Sequence, residues 1–371
     1  MELVVHMRGS LNLSAGWTRS KRIKERKALI ERGDKWLQLR GRHIQEYRGH
    51  AVNGGDHAYG KFNSHGRVVL DPVTFDQVRP NNSLVPRIAL SLSDFTDEHK
   101  LLVDPVLYGF SLRNKIWGGF AVSSLTDVLW ENEIIDSLVI PEDQKDFVRT
   151  LVESHLNSGF EDIVRDKGKG LVGLLSGPPG VGKTLTAEAV AEIARRPLYM
   201  VSSGELGDTP ASVRKALDEI MELAEAWHAV VLLDEADVFL IKRDDTNLTR
   251  NALTSIFLRQ LEYYQGIIIL TTNRRHSFDA AFKSRIHFSI DYPDLDLDAR
   301  RTIWGMFLRR TSENGDVVVD ITENELIDLA RLQLNGRQIK NAVKISHTIP
   351  LQRRVPITLA YIQRTLKFSN I

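Results

Sequence analysis

The sequence predicts an α/β fold: a doubly wound parallel sheet, followed by a helical lid and preceded by a small β-rich domain. Three observations carry this. Between Leu171 and Ile290, leucine-rich or β-branched runs alternate with longer amphipathic stretches, and uninterrupted apolar strands of that kind are buried on both faces, as in a parallel sheet. A glycine-rich loop, Gly177–Thr184, separates the first such strand from the first such helix. Beyond Pro293 strand signals fade, and Asp298–Leu308, Glu323–Leu332, Arg337–Ser346 and Thr358–Lys367 show helical spacing.

The chain opens with a basic leader over residues 1–34. Residues 1–50 hold 12 Lys and Arg against 5 Asp and Glu, a net of +7, which leaves −6 for the remainder of a chain whose total is +1. The excess centres on Arg19-Ser20-Lys21-Arg22-Ile23-Lys24-Glu25-Arg26-Lys27. A solvated leader, a nuclear-import or nucleic-acid patch and a mitochondrial presequence all fit such a stretch.

Residues 35–130 read as the β-rich domain. Trp36-Leu37-Gln38-Leu39, Gly66–Asp71, Val106–Phe110 and Phe120–Val122 have strand character, and Asn53-Gly54-Gly55, Pro80-Asn81-Asn82 and Asp104-Pro105 are turn signals between them. His43, His50, His57 and His65 lie close in sequence, but their spacing suits no zinc motif and there is no cysteine. They read as surface or turn residues.

Residues 131–292 read as the α/β core. Glu142–Leu156 carries Phe147, Leu151, Val152 and Leu156 on one helical face, and Asp166-Lys167-Gly168-Lys169-Gly170 breaks it. Strand Leu171–Leu175, helix Lys183–Ala194, strand Leu198–Val201, helix Ala211–Ala226, strand Ala229–Leu233, helix Leu248–Tyr264 and strands Ile267–Thr271 and His287–Ile290 follow. A ligand of such a sheet belongs at the carboxyl ends of its strands. Residues 293–371 form the lid.

Ser176-Gly177-Pro178-Pro179-Gly180-Val181-Gly182-Lys183-Thr184 has the composition of a phosphate-binding loop. Gly177, Gly180 and Gly182 let the backbone turn so that successive N–H groups point inward, and the following helix adds the positive end of its dipole. Lys183 can reach the β- and γ-phosphates of a nucleoside triphosphate, and the Thr184 hydroxyl can ligate magnesium. The plain alternative is a glycine turn that only joins two elements.

A second apolar run, Ala229–Leu233, ends in Asp234-Glu235. Asp234 at the strand tip suits magnesium, and Glu235 suits the proton of an attacking water; without the phosphate loop the pair would read as a surface cap. Asp234-Glu235-Ala236-Asp237 also spells a helicase tetrapeptide, but no further helicase motif accompanies it. A third run, Ile267-Ile268-Ile269-Leu270-Thr271-Thr272-Asn273, offers the Asn273 amide, which can orient water and donate to a phosphate without adding charge.

Over roughly Asn132 to Phe368 these residues resemble the AAA+ ATPase family. Gly177–Thr184 matches its Walker A, Val230–Glu235 its Walker B and Thr272-Asn273-Arg274 its sensor 1, while Asp234–Leu240, Leu261–Gly266 and Ser284–His287 are similar to a fungal group with an unassigned amino-terminal domain. The resemblance implies a P-loop NTPase core that binds ATP with Mg2+, contacts adenine from the segment before Leu171 and from the lid, and hydrolyses ATP to ADP and phosphate. It also implies a homo-oligomeric ring, a hexamer, in which Arg285 serves the neighbouring subunit's nucleotide and Arg337 acts as sensor 2. The family's usual Arg-Pro-Gly-Arg pair is absent around Arg285, and a structural arginine paired with an acid is the rival reading.

The resemblance points to remodelling of an unknown protein partner; a nucleic-acid motor or loader and a nucleotide-gated scaffold stay open. Val201–Thr209, where chain-threading members carry an aromatic, has none. Tyr199, just before it, reads as a core residue of the second strand. A chain 42% hydrophobic and 26% charged has the composition of a soluble globular protein, no apolar run nears the roughly 20 residues of a membrane span, and the absence of cysteine fits a reducing intracellular compartment, cytoplasmic or nuclear before mitochondrial.

Overall fold

Apolar strands buried on both faces need helices above and below, and the second half of the chain is built that way. The computed structural model describes residues 3–6, 19–54, 59–78, 87–90, 95–157, 170–240, 248–274, 280–313 and 317–368. The chain divides into two units, residues 1–129 and 130–371.

In the first unit β1 (Leu3–His6) pairs antiparallel with β4 (Arg87–Leu90). Helix α1 (Arg19–Gln38) precedes the long hairpin β2 (His43–Gly54) and β3 (Tyr59–Leu70); α2 (Pro72–Val78), α3 (Asp97–Leu102), β5 (Val106–Ser111), β6 (Ile116–Ala121) and β7 (Leu125–Thr126) complete it. The strands run β3-β5-β6-β2-β7, and the β2–β3 pairing brings β2, β3, β5 and β6 into a closed antiparallel ring.

Two expectations fail here. Residues 19–34 are the body of α1, with no break at residue 34, and Trp36–Gln38 is its last turn instead of a strand. Trp36 and Leu39, three apart, are both buried against Tyr47, Phe120 and Leu125; four residues are too few to separate a helical from a strand period. His50 and His65 are exposed, and no group of three or more potential metal ligands occurs among the described residues. His57 and the Pro80–Asn82 turn lie outside them.

In the second unit α4 (Glu142–Asn157) leads to β8 (Leu171–Ser176), α5 (Lys183–Ala194), β9 (Leu198–Ser202), α6 (Pro210–Ala226) and β10 (Val230–Asp234). After α7 (Asp237–Leu240), α8 (Leu248–Tyr263), β11 (Ile267–Thr272), α9 (Ala280–Lys283) and β12 (Phe288–Asp291), the lid follows as α10 (Leu297–Glu313), α11 (Glu323–Arg331), α12 (Gly336–Arg353) and α13 (Leu359–Phe368). The sheet is wholly parallel, in the order β12-β8-β11-β10-β9. Val230, Leu232, Ile267 and Ile269 have essentially no exposure and share one core with Val148 and Val152 of α4. Phe147, assigned to that buried helical face from its spacing, is instead 53% exposed; Val148, one position on, takes the inward direction. The breaker at 166–169 lies outside the described residues.

The lid closes on the fully buried Trp304. Arg300, also buried, joins α10 to the end of α11 by donating to the carbonyls of Ala330 (2.7 Å) and Leu295 (2.6 Å) and to Gln333 Oε1 (3.1 Å). Among the described residues no helix is long and apolar enough to cross a membrane.

Candidate functional site

Because β8, β11 and β10 are neighbours, their carboxyl ends carry the loop after Ser176, the Thr271–Asn273 segment and the Asp234-Glu235 pair to a single edge of the sheet. The loop has positive φ at Gly177 (144°), Gly180 (79°) and Gly182 (114°), a region that side chains strongly disfavour. At Gly177 space adds a second reason, since a Cβ there would fall 2.5 Å from the Tyr292 carbonyl. Pro178 and Pro179 span the turn between the glycines, and Val181 is buried in the core. Gly182 caps α5 without a side chain, so first-turn amides stay open to an anion.

Lys183 is the hub. Its amine donates to the Gly177 carbonyl (2.6 Å), the Pro178 carbonyl (2.8 Å) and Asn273 Oδ1 (2.9 Å). Burial lowers its pKa below the ordinary value of 10.5, while Asp234, Asp237 and Glu235 act to raise it and the charge of Arg337 lowers it further. Thr184 is half-buried one residue on.

Asp234 is half-buried and Glu235 exposed. Glu235 has φ 55°, a left-handed conformation costing a non-glycine residue about 1–2 kcal/mol. That strain is held by β11: the Glu235 amide donates to Thr271 Oγ1 at 3.1 Å and the Ala236 amide to the Thr271 carbonyl at 2.9 Å. Thr271 Oγ1 in turn donates to Asp234 Oδ1, and Thr272 Oγ1 to Asp237 Oδ1.

The lid meets the same loop. The Gly336 amide donates to the Gly180 carbonyl at 2.9 Å, and Asn335 caps α12 by accepting from the Gln338 amide at 2.9 Å. Arg337 follows on the first turn of α12, exposed. A groove of about 1340 Å³ runs between residues 130–145 and α10, lined in part by Ile134, Leu138, Val139, Thr302, Gly305 and Met306.

Arg285 is elsewhere. It precedes β12 at the amino end of the sheet, where His287 bonds to the Val172 carbonyl. Its guanidinium donates to Glu262 Oε2 (3.1 Å) and to the Ala281 carbonyl (3.0 Å), while Nε is buried without a partner. In Val201–Thr209 Val201 and Leu206 are buried and the remainder is polar or glycine; Tyr199 is buried in β9, its hydroxyl pKa pushed up to about 12 by burial.

Sequence reasoning did not find the parts of Thr271, Gly336 and Glu262. The Thr-Thr pair closing β11 and the Asn-Gly step before α12 were the available signals; nothing local links Glu262 to Arg285.

Residues 173–294 match the family described as "ATPase family associated with various cellular activities (AAA)". Cell division control protein 48 homolog B of Arabidopsis thaliana is 29% identical over 201 residues, 51% of this chain and 32% of that protein. The 26S proteasome regulatory subunit 4 homolog B of Arabidopsis thaliana is 30% identical over 217 residues, 54% of this chain and 46% of that one. A crystal structure of the FIGL-1 AAA domain has a TM-score of 0.49 at 19% identity, covering 64% of this chain and 84% of that one. The chain spans from about a third to just over half of the length of the curated relatives it matches. Its second unit contains an AAA ATPase domain, with relatives among the AAA ATPases, and the first unit lies outside the family match.

Proposed function

We propose that the chain binds ATP with Mg2+ and hydrolyses it to ADP and phosphate, coupling turnover to the remodelling of a protein partner. The observation that carries this is the convergence of the Lys183 amine, the Asp234-Glu235 pair and Asn273 at the ends of three adjacent strands. In this reading the amides of Gly177–Thr184 and the Lys183 amine hold the phosphates, and the base and ribose enter the groove beside Leu138. Glu235 takes the proton of the attacking water, Asn273 orients that water, and Arg337 reads the γ-phosphate from the lid.

The donor set fits magnesium. One hydroxyl, at Thr184, and one carboxylate, at Asp234, are hard oxygen donors of the kind that would suit magnesium, which is bound through few protein ligands. Thr184 and Asp234 would hold it, and it would offset phosphate charge.

Arg285 lies on the edge away from its own phosphate loop, which supports service to a neighbouring subunit and hence a ring, with a hexamer as the proposed form. The ion pair with Glu262 supports the rival, structural role, and turnover of an Arg285→Ala protein distinguishes the two. Relatives named as proteasome regulatory subunits support a protein partner. The lack of an exposed aromatic in Val201–Thr209 argues against gripping a threaded chain there.

Glu235→Gln tests the central claim: ATP binding should persist while hydrolysis falls by about a hundredfold or more. Unchanged hydrolysis would sink the assignment. A second reading, a nucleic-acid motor, draws on Lys24, Arg26 and Lys27, exposed on α1; it requires DNA or RNA affinity that weakens steeply with salt and disappears when those three are neutralised.

A further inference from the structure

We infer that Thr271 is the positioning residue of the acid pair, setting both the Asp234 carboxylate and the Glu235 backbone through one buried hydroxyl. The inference rests on the hydrolytic reading of the site. Thr271 is 1% exposed and belongs to β11, one position beyond Leu270, the partner of Leu233 in register. It therefore stands beside Asp234, where β10 ends.

Its hydroxyl has one proton and two lone pairs, and the arrangement uses both functions. The proton goes to Asp234 Oδ1, and a lone pair receives the Glu235 amide at 3.1 Å. The Thr271 carbonyl adds a third tie, to the Ala236 amide at 2.9 Å. Glu235 is the residue of this turn with positive φ, and a strained conformation persists only where its surroundings over-determine it. Two of those constraints come from Thr271. The hydroxyl fixes Asp234 Oδ1, leaving the other carboxylate oxygen for an ion, and holds the turn that aims the Glu235 side chain out of the sheet.

A hydroxyl that merely closed the end of a strand would matter for stability and not for turnover. Thr271→Val keeps shape and branching, deletes the proton donor and acceptor, and leaves the carbonyl tie. Steady-state ATPase, ATP affinity by fluorescent-nucleotide titration and thermal melts of the full chain then divide the possibilities. The expected result is a kcat at least tenfold lower with ATP affinity within twofold of wild type, and recovery of most of that kcat in Thr271→Ser. Should the valine variant fail to fold, Thr271→Ser at near wild-type kcat beside a folded, ATP-binding Thr271→Ala with tenfold lower kcat supports the role equally. Valine or alanine at wild-type kcat, or serine as impaired as valine, overturns it. Absence of turnover in the wild-type chain would instead overturn the hydrolytic reading beneath it.

Discussion

The Gly336 amide is hydrogen-bonded to the Gly180 carbonyl at 2.9 Å, so the lid is registered directly on the backbone that is proposed to hold phosphate. The contact is possible only between glycines: a Cβ on Gly336 would fall 2.7 Å from the Gly180 carbonyl, and one on Gly180 would fall 2.7 Å from Asn335 Oδ1. Gly336→Ala should push α12 off the loop and take Arg337 with it. We expect ATP affinity to fall about tenfold and stability by about 1–3 kcal/mol, read by nucleotide titration and chemical denaturation. Wild-type affinity in a folded Gly336→Ala protein would refute the coupling.

Lys183 separates binding from stability. Burial disfavours its charge in the fold, so an apolar chain of similar length relieves a cost while losing three hydrogen bonds. Lys183→Met should abolish measurable ATP binding yet change unfolding free energy by no more than about 1 kcal/mol. Retained micromolar binding would contradict the proposed phosphate contact.

Arg285 can be tested in mixtures. Arg285→Ala should bind ATP normally and lose about a thousandfold in turnover if it acts on a neighbour's phosphate. Mixing it with Lys183→Met protein should restore part of the activity, since each supplies what the other lacks. If Arg285→Ala turns over normally and only melts earlier, by about 1 kcal/mol for a half-exposed ion pair, the pairing with Glu262 is structural.

Acid should loosen the second unit. His287 Nδ1 accepts from the Val172 amide at 3.0 Å, which requires that nitrogen to be unprotonated. Burial lowers the pKa of His287, and burial followed by the charges of Arg196 and His287 lowers that of His155, both from 6.5. Below pH 6.5 the unfolded chain therefore binds more protons than the folded one, so stability is full above that value and declines as pH falls. Thermal melts should shift down modestly between pH 7.5 and 5.5, with the half-buried His155 contributing more than the exposed His287, whose charge water screens. His287→Gln, which keeps an acceptor but does not titrate, should flatten the slope; an unchanged slope would remove His287 from the explanation.

Most of the second unit was legible because its signals are local. The strand runs, the loop glycines and the acids after Leu233 each announce themselves within a few residues, and β8 to β12 fall within two residues of the expected bounds. What escaped depends on partners far apart in sequence. Thr271 meets Asp234 across 37 positions and Glu262 meets Arg285 across 23, and pairings of that kind follow from strand order, which no window reports. The first unit was less legible, because short runs such as Trp36–Leu39 serve a helix or a strand equally and only burial against Tyr47 and Phe120 decides.

The sheet also gives the second unit a direction. The phosphate loop leaves β8 at its carboxyl end while Arg285 waits before β12 at the amino end, so the six residues of β8 hold the two about 20 Å apart. On the proposed service of Arg285 to a neighbouring nucleotide, one pole is a socket and the other a plug, and end-to-end contact joins unlike surfaces. Contacts through those poles are head-to-tail, and the rotation between successive copies alone decides whether such a series closes on itself or runs on as a helix.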